Sequence, residues 1–157
     1  MKLRRYREAD VAALVHLFTE SVHSLAAPDY AAEQRQAWAP IPPDLAAWRA
    51  RFRELDTIVA EAEDRVLGFL SYEPNGHIEL LYTAPHAARK GVASALLQEA
   101  AGCLARVKGT GELFTEASLT AVPFFLKQGF EVTAEQTVRR RGVSFRRFAM
   151  RRPAGPR

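Results

Sequence analysis

Residues 84–97 read APHAARKGVASALL, a short basic bend that runs directly into aliphatic residues at helical spacing. The N–H groups of a helix's first turn have no intrahelical acceptor and sit at the positive end of the helix dipole, so they attract anions, phosphates above all. Gly91 removes a side chain where an anion must approach the backbone, and Ala93 keeps the next turn small. Arg89 and Lys90 add positive charge, and Ser94 adds a hydroxyl donor. The same residues also suit a plain strand-to-helix turn in which Gly91 relieves strain, because one glycine is weak evidence.

A second concentration of charge lies near the C-terminus, where seven arginines fall between Arg139 and Arg152. They could attract nucleic acid, an acidic substrate or a phosphorylated cofactor, or they could decorate the solvent faces of two terminal strands. No aromatic-interleaved basic motif or zinc pattern favours nucleic acid, so no nucleic-acid partner is expected. The single cysteine, Cys103, gives neither an intramolecular disulfide nor a metal cluster and reads as a packing residue. No metal is expected. His77, next to a turn, is expected to be exposed.

These groups need a scaffold, and 157 residues are enough for one domain with a good core. The apolar share of 48% and charged share of 25% are those of a globular protein. No run of about 18 uncharged apolar residues predicts a membrane span. MKLRRYREAD lacks the apolar run of a secretory signal, so a cytoplasmic location is expected.

LRRYR reads as a short strand, and Val11, Leu14, Val15, Phe18 and Val22 fall at helical spacing, on one face of a helix begun by Asp10 or a residue just before it. AAEQRQAWA predicts a short helix closed by Pro40, Pro42 and Pro43. Asp44 predicts the N-cap of another, with Leu45, Trp48 and Phe52 on one face. TIVAEA, RVLGFLSYE and HIELLYT read as three strands in a meander, turned by EDR and by Asn75-Gly76, two residues tolerant of positive φ. A helix from near Gly91 carries Ala93, Leu96, Leu97, Ala100, Leu104 and Val107 on one face and ends at Lys108-Gly109. ELFTEA predicts a strand and SLTAVPFFLKQ a helix ended by Gly129, with Phe130 packing back over the cap. A hairpin through Arg141-Gly142 closes a single α/β domain of residues 1–150, followed by a disordered basic tail, 151–157.

HIELLYTAPHAARKGVASALLQEA resembles the acetyl-CoA signature of the GNAT superfamily of N-acetyltransferases, an aliphatic strand, a proline, then Q/R-x-x-G-x-G/A opening a helix. ELFTEASLTAVPFFLKQGF resembles the second signature of that superfamily, and the order of elements matches from residue 3 to about 150. SVHSLAAPDYAAEQRQAWAP and TEASLTAVPFF are most similar to a bacterial, YafP-like subgroup. The resemblance implies a mixed, mostly antiparallel central sheet with helices on both faces. It also implies direct transfer of an acetyl group from acetyl-CoA to a primary amine of a small molecule or peptide.

The resemblance further implies individual roles. The backbone of Leu81, Tyr82 and Thr83 would pair with the pantetheine arm, and Arg89, Lys90, Gly91, Val92, Ala93 and Ser94 would hold the pyrophosphate. Ser118 would contact the pantetheine arm or cap the last helix. Glu79 stands where several family members carry a carboxylate that acts through water as general base. Ser21, His23, Tyr30 and Trp38, with Trp48 as a further candidate, would form the acceptor pocket. Dimers are common in the family, so a homodimer is compatible with it. Two positions depart from the pattern. Ala88 replaces the usual Gln or Arg, leaving the cradle to backbone donors. Phe125 replaces the general-acid tyrosine, and a phenyl ring, read here as core, donates no proton. Tyr82 is the nearest substitute donor, with His23 and Tyr30 as others. The alternative implied is a non-catalytic acyl-CoA-binding module that has lost its acid.

Overall fold

The computed structural model describes residues 1–108 and 111–154. β1 (Lys2–Arg5) leads through a 3-10 turn at Glu8–Asp10 into α1 (Val11–Leu25), and the five apolar residues expected on its inner face are all buried. α2 (Ala32–Trp38) and α3 (Leu45–Arg53) follow, separated by the proline-rich stretch. Asp44 caps α3 by accepting the Ala47 N–H at 3.0 Å. Leu45 is exposed, contrary to expectation, because it stands a turn beyond the aromatic contact that anchors α3. Trp48 and Phe52 make that contact, with ring centroids 5.6 Å apart.

β2 (Asp56–Ala62), β3 (Arg65–Tyr72) and β4 (His77–Thr83) form the antiparallel meander. Glu63 and Asp64 both adopt positive φ, the two-residue geometry that matches strand twist in tight hairpins. In the next turn only Gly76 does so, at φ 96°. Asn75 serves that turn through its side chain instead, Oδ1 accepting the His77 N–H at 3.1 Å.

α4 (Val92–Lys108) covers one face of the sheet, and α1 and α3 cover the other. Adjacent residues of β3 show the two sides: Gly68 faces Val92 and Leu96 of α4, whereas the Phe69 ring lies 5.8 Å from Phe52 of α3. Successive strand residues point to opposite faces, so both faces are packed. Leu96, Leu97, Ala100 and Leu104 form the inner stripe of α4. The helix end expected at Lys108-Gly109, the side chain of Val107 and tail residues 155–157 lie outside the described residues.

β5 (Leu113–Ser118) runs parallel to β4, and β6 (Glu131–Arg140) and β7 (Val143–Arg152) complete a seven-stranded sheet of order β1-β2-β3-β4-β5-β7-β6. α5 (Val122–Lys127) is shorter than its sequence suggests, since a turn occupies Ser118 to Ala121. Pro123 falls in the first turn of α5, where its missing N–H has no helical partner to lose. Gly129 closes α5 at φ 88°, and Phe130 packs back with its ring 4.9 Å from Phe125. The tail does not begin at 151: Arg151 and Arg152 pair in register with Phe114 and Leu113, so the ladder to β5 holds them as strand. None of the described helices is long and apolar enough to cross a membrane.

Candidate active site

β4 and β5 pair at two positions only, His77 with Phe114 and Ile78 with Thr115. The Thr115 hydroxyl donates to the Ile78 carbonyl at 2.8 Å across this junction, and beyond it the strands part. β4 keeps β3 on its other edge and β5 keeps β7. The facing edges of residues 79–83 and 116–118 therefore carry backbone groups with no strand partner among the described residues. A cavity of about 510 Å³ opens over this V, walled by Trp38 of α2, Trp48 of α3 and the β6–β7 hairpin.

Glu79 enters the wall through a β-bulge. Ser71 pairs with Leu80 and Tyr72 with Ile78, leaving Glu79 as the extra residue of β4. Bulges re-aim side chains, and here the carboxylate meets Arg51 Nη2 of α3 at 2.6 Å. Its other oxygen lies 3.4 Å from His77 Nδ1. His77 itself is buried, at 9% exposure, which corrects the expectation from its neighbouring turn. The parallel pairing lays its ring on Phe114, 4.9 Å between centroids, and the bulge turns the Glu79 carboxylate toward it. Glu73 meets Nδ1 at 2.6 Å and Glu116 meets Nε2 at 2.8 Å. Burial opposes the imidazolium, but the bonds to Glu73 and Glu116, with the charges of Glu116 and Glu79, outweigh it. The His77 pKa is raised above the ordinary value.

Tyr82 is half-buried and lies against Phe18, with ring centroids 4.8 Å apart. Burial pushes its phenol up to about 12, opposed by the Trp38 indole and the charges of Arg51 and Arg140. Leu81 and Tyr82 line the cavity, and Thr83 ends the strand. Ser118 also lines it, its Oγ accepting the Ala121 N–H at 3.2 Å. Phe125 is buried yet touches the cavity, to which it presents only a hydrocarbon ring.

Arg89, Lys90 and Gly91 form an exposed turn before α4, outside the cavity wall. Arg89 and Gly91 take φ 62° and 84°, and the Ala95 N–H to Gly91 carbonyl is the first bond of the helical ladder. The N–H groups of Val92, Ala93 and Ser94 therefore precede any intrahelical acceptor. A Cβ at Gly91 would meet nothing within 4 Å, so its space is open and φ alone demands glycine. Ala88 is extended, and the Ser94 hydroxyl accepts from Gln128 at 3.2 Å.

The four acceptor-pocket candidates separate. Tyr30 and Trp38 line the cavity, as does Trp48, whereas Ser21 and His23 do not. Ser21 is buried on the inner face of α1, and His23 Nε2 is engaged by the Ala39 carbonyl at 2.8 Å. Tyr30 is committed as well: its hydroxyl donates to the Arg146 carbonyl at 2.7 Å and accepts the Leu119 N–H at 2.9 Å. These separate bonds occupy the Tyr30 hydroxyl and His23 Nε2.

Arg51 and Glu116 were not anticipated from the sequence. Glu116 had a usable signal, because a period of two places it on the strand face of Ser118. Arg51 had only its position one turn after Trp48, whose ring its guanidinium covers at 5.1 Å.

Residues 26–152 match the family model described as acetyltransferase (GNAT) domain. The chain is 34% identical over 151 residues to YafP, an N-acetyltransferase of Escherichia coli (strain K12), covering 96% of this chain and 95% of that protein. A GCN5-related N-acetyltransferase from Rhodopseudomonas palustris superposes with TM-score 0.90 at 32% identity, covering 97% and 94% of the two chains. The PaiA N-acetyltransferase of Thermoplasma acidophilum, solved with coenzyme A, shares the fold at TM-score 0.76 and 21% identity, over 97% and 98%. A sheet that splits between β4 and β5, with relatives of this kind over nearly its full length, makes the chain a member of the GNAT acetyltransferase family.

Proposed function

We propose that the protein transfers an acetyl group from acetyl-CoA directly to a primary amine of a small molecule or peptide. The observation that carries this reading is Glu79, a carboxylate bulged into the wall of the cavity where β4 offers an unpaired edge. The residues present suit the co-substrate. Open space at Gly91, unsatisfied N–H groups at the start of α4 and the cations of Arg89 and Lys90 suit a diphosphate. The free edge at Leu81, Tyr82 and Thr83 suits an extended amide-bearing arm added as a strand.

Acetyl-CoA supplies the thioester whose carbonyl carbon the amine attacks and whose sulfur leaves. An alkylamine titrates near about 10, so the attacking nitrogen must lose a proton. Glu79 takes it, directly or through a water. His77 Nδ1 faces both Glu79 and Glu73, linking the Glu79 carboxylate to one that is half-exposed. The N–C bond forms, and the C–S bond breaks with its electron pair going to sulfur. The second proton that the nitrogen sheds on becoming an amide passes to solvent with the departing thiolate. Backbone N–H groups of the free β4 edge steady the developing oxyanion.

Phe125 favours the second reading, a binding module without chemistry. A positioned acid is worth about 10²–10⁴-fold, and a thiol near pKa 8.5 leaves tolerably as thiolate, so its loss slows transfer without abolishing it. Tyr82, with its phenol pushed up to about 12, keeps its proton and acts as a hydrogen-bond donor. Thiol release from acetyl-CoA across a panel of amines decides between them. Amine-dependent release supports transfer, whereas stabilisation by CoA with no release for any amine supports the binding module.

A further inference from the structure

The charges around the cavity do not balance. Its three carboxylates already have partners: Asp44 the start of α3, Glu116 His77, and Glu79 Arg51. Five arginines share the same wall, Arg51 from α3 and four from the β6–β7 hairpin. Arg51 and Arg146 have carboxylate partners, the latter Glu135 at 2.7 Å. Arg147 donates to the neutral Gln136 amide and Arg141 to the Ala37 carbonyl, at 2.8 and 2.7 Å. Arg140 has no side-chain partner among the described residues, and its charge bears on the Tyr82 hydroxyl inside the site. Three guanidiniums thus reach this cavity without a counter-ion. Guanidinium is a planar fork shaped for a carboxylate.

The phosphates of the co-substrate do not account for this excess. The Arg89–Ser94 turn lies outside the cavity, whereas the hairpin arginines close its acceptor side against α2, where Arg141 holds Ala37. The rest of the wall is aromatic: Trp38, Trp48, Tyr82, Phe18 and Phe145. On the amine-transfer reading above, we infer that the acceptor also carries a carboxylate, and belongs to the aromatic or bulky apolar α-amino acids. Arg140, with Arg141 and Arg147 beside it, receives the carboxylate. The ring wall receives the side chain and Glu79 faces the amine.

The test measures thiol release with free L-phenylalanine, L-tryptophan and L-leucine against the corresponding amino amides. An amide's amine is the less basic of the pair, so chemistry alone favours the amide. The expected result is higher kcat/KM for the acids. Arg140→Gln is expected to raise KM for the acids and cut the acid-over-amide preference about tenfold or more, with little change in kcat. CoA-induced thermal stabilisation stays at the wild-type value. Equal or better use of the amides, or a preference unmoved by Arg140→Gln, overturns the inference and leaves amine transfer standing. Loss of CoA stabilisation in Arg140→Gln also overturns it, by assigning the cation to the nucleotide. No release from any member of either set overturns the inference, and the wider amine panel then decides whether amine transfer stands.

Discussion

His77 Nε2 stands 2.8 Å from Glu116 Oε1, joining β4 to β5 beside the two rungs after which the strands separate. The same imidazole reaches Glu73 and Glu79 through Nδ1, so one buried ring ties the apex of the cleft to the carboxylate in its wall. The cleft is opened by strand divergence and held at its root by this charge cluster.

The cluster makes stability depend on pH. Its carboxylates raise the folded-state pKa of His77 above the unfolded value of about 6.5. The stabilisation is complete below that unfolded value and is lost as pH climbs through the higher folded one. His77→Phe should cost about 1–3 kcal/mol near about pH 6, and less at about pH 9. Chemical denaturation of both proteins across this window checks it, and a pH-independent difference would reject the role.

Glu79→Gln keeps shape and one acceptor oxygen but removes the proton-accepting charge. The rate of amine-dependent thiol release should fall about 10²–10⁴-fold. CoA-induced stabilisation should persist, since the variant leaves the Gly91 turn intact. A wild-type rate and pH profile would exclude Glu79 as base.

Gly91→Glu places a side chain at φ 84° and a negative charge beside the start of α4. Both effects oppose an anion there, and the backbone strain alone costs about 1–2 kcal/mol. CoA should no longer raise the melting temperature. An unchanged shift would remove the phosphate role from this turn.

Tyr30→Phe strands the Leu119 N–H and the Arg146 carbonyl, which its hydroxyl joins across the α1–α2 connection, the β5–α5 turn and β7. Loss of such a bridge should lower stability by about 1–3 kcal/mol. Urea unfolding measures this, and a change under about 0.5 kcal/mol would show the bridge to be idle.

Much of the scaffold was legible locally. Val11, Leu14, Val15, Phe18 and Val22 announce α1 because a 3.6-residue period survives in sequence. Glu63-Asp64 and Arg141-Gly142 mark hairpins whose turns need positive φ, and the Gly91 turn showed its glycine and cations in the correct order.

The site was less legible, because its decisive contacts join residues far apart in the chain. His77 looked exposed beside its turn until β5, over thirty residues later, brought Phe114 and Glu116 against it. Glu79 owes its aim to a bulge, which depends on β3 register and leaves no mark in HIELLYT. Ser21 and His23 lie in the segment expected to line the pocket, but helix phase turned one into the core and a carbonyl engaged the other. Local patterns determined which elements form, because helix and strand periods are properties of neighbouring residues. Only the tertiary structure decided which charges meet, because the splayed strands and the folded-over hairpin bring Arg51, Glu79 and Arg140 to one cavity from three separate parts of the chain.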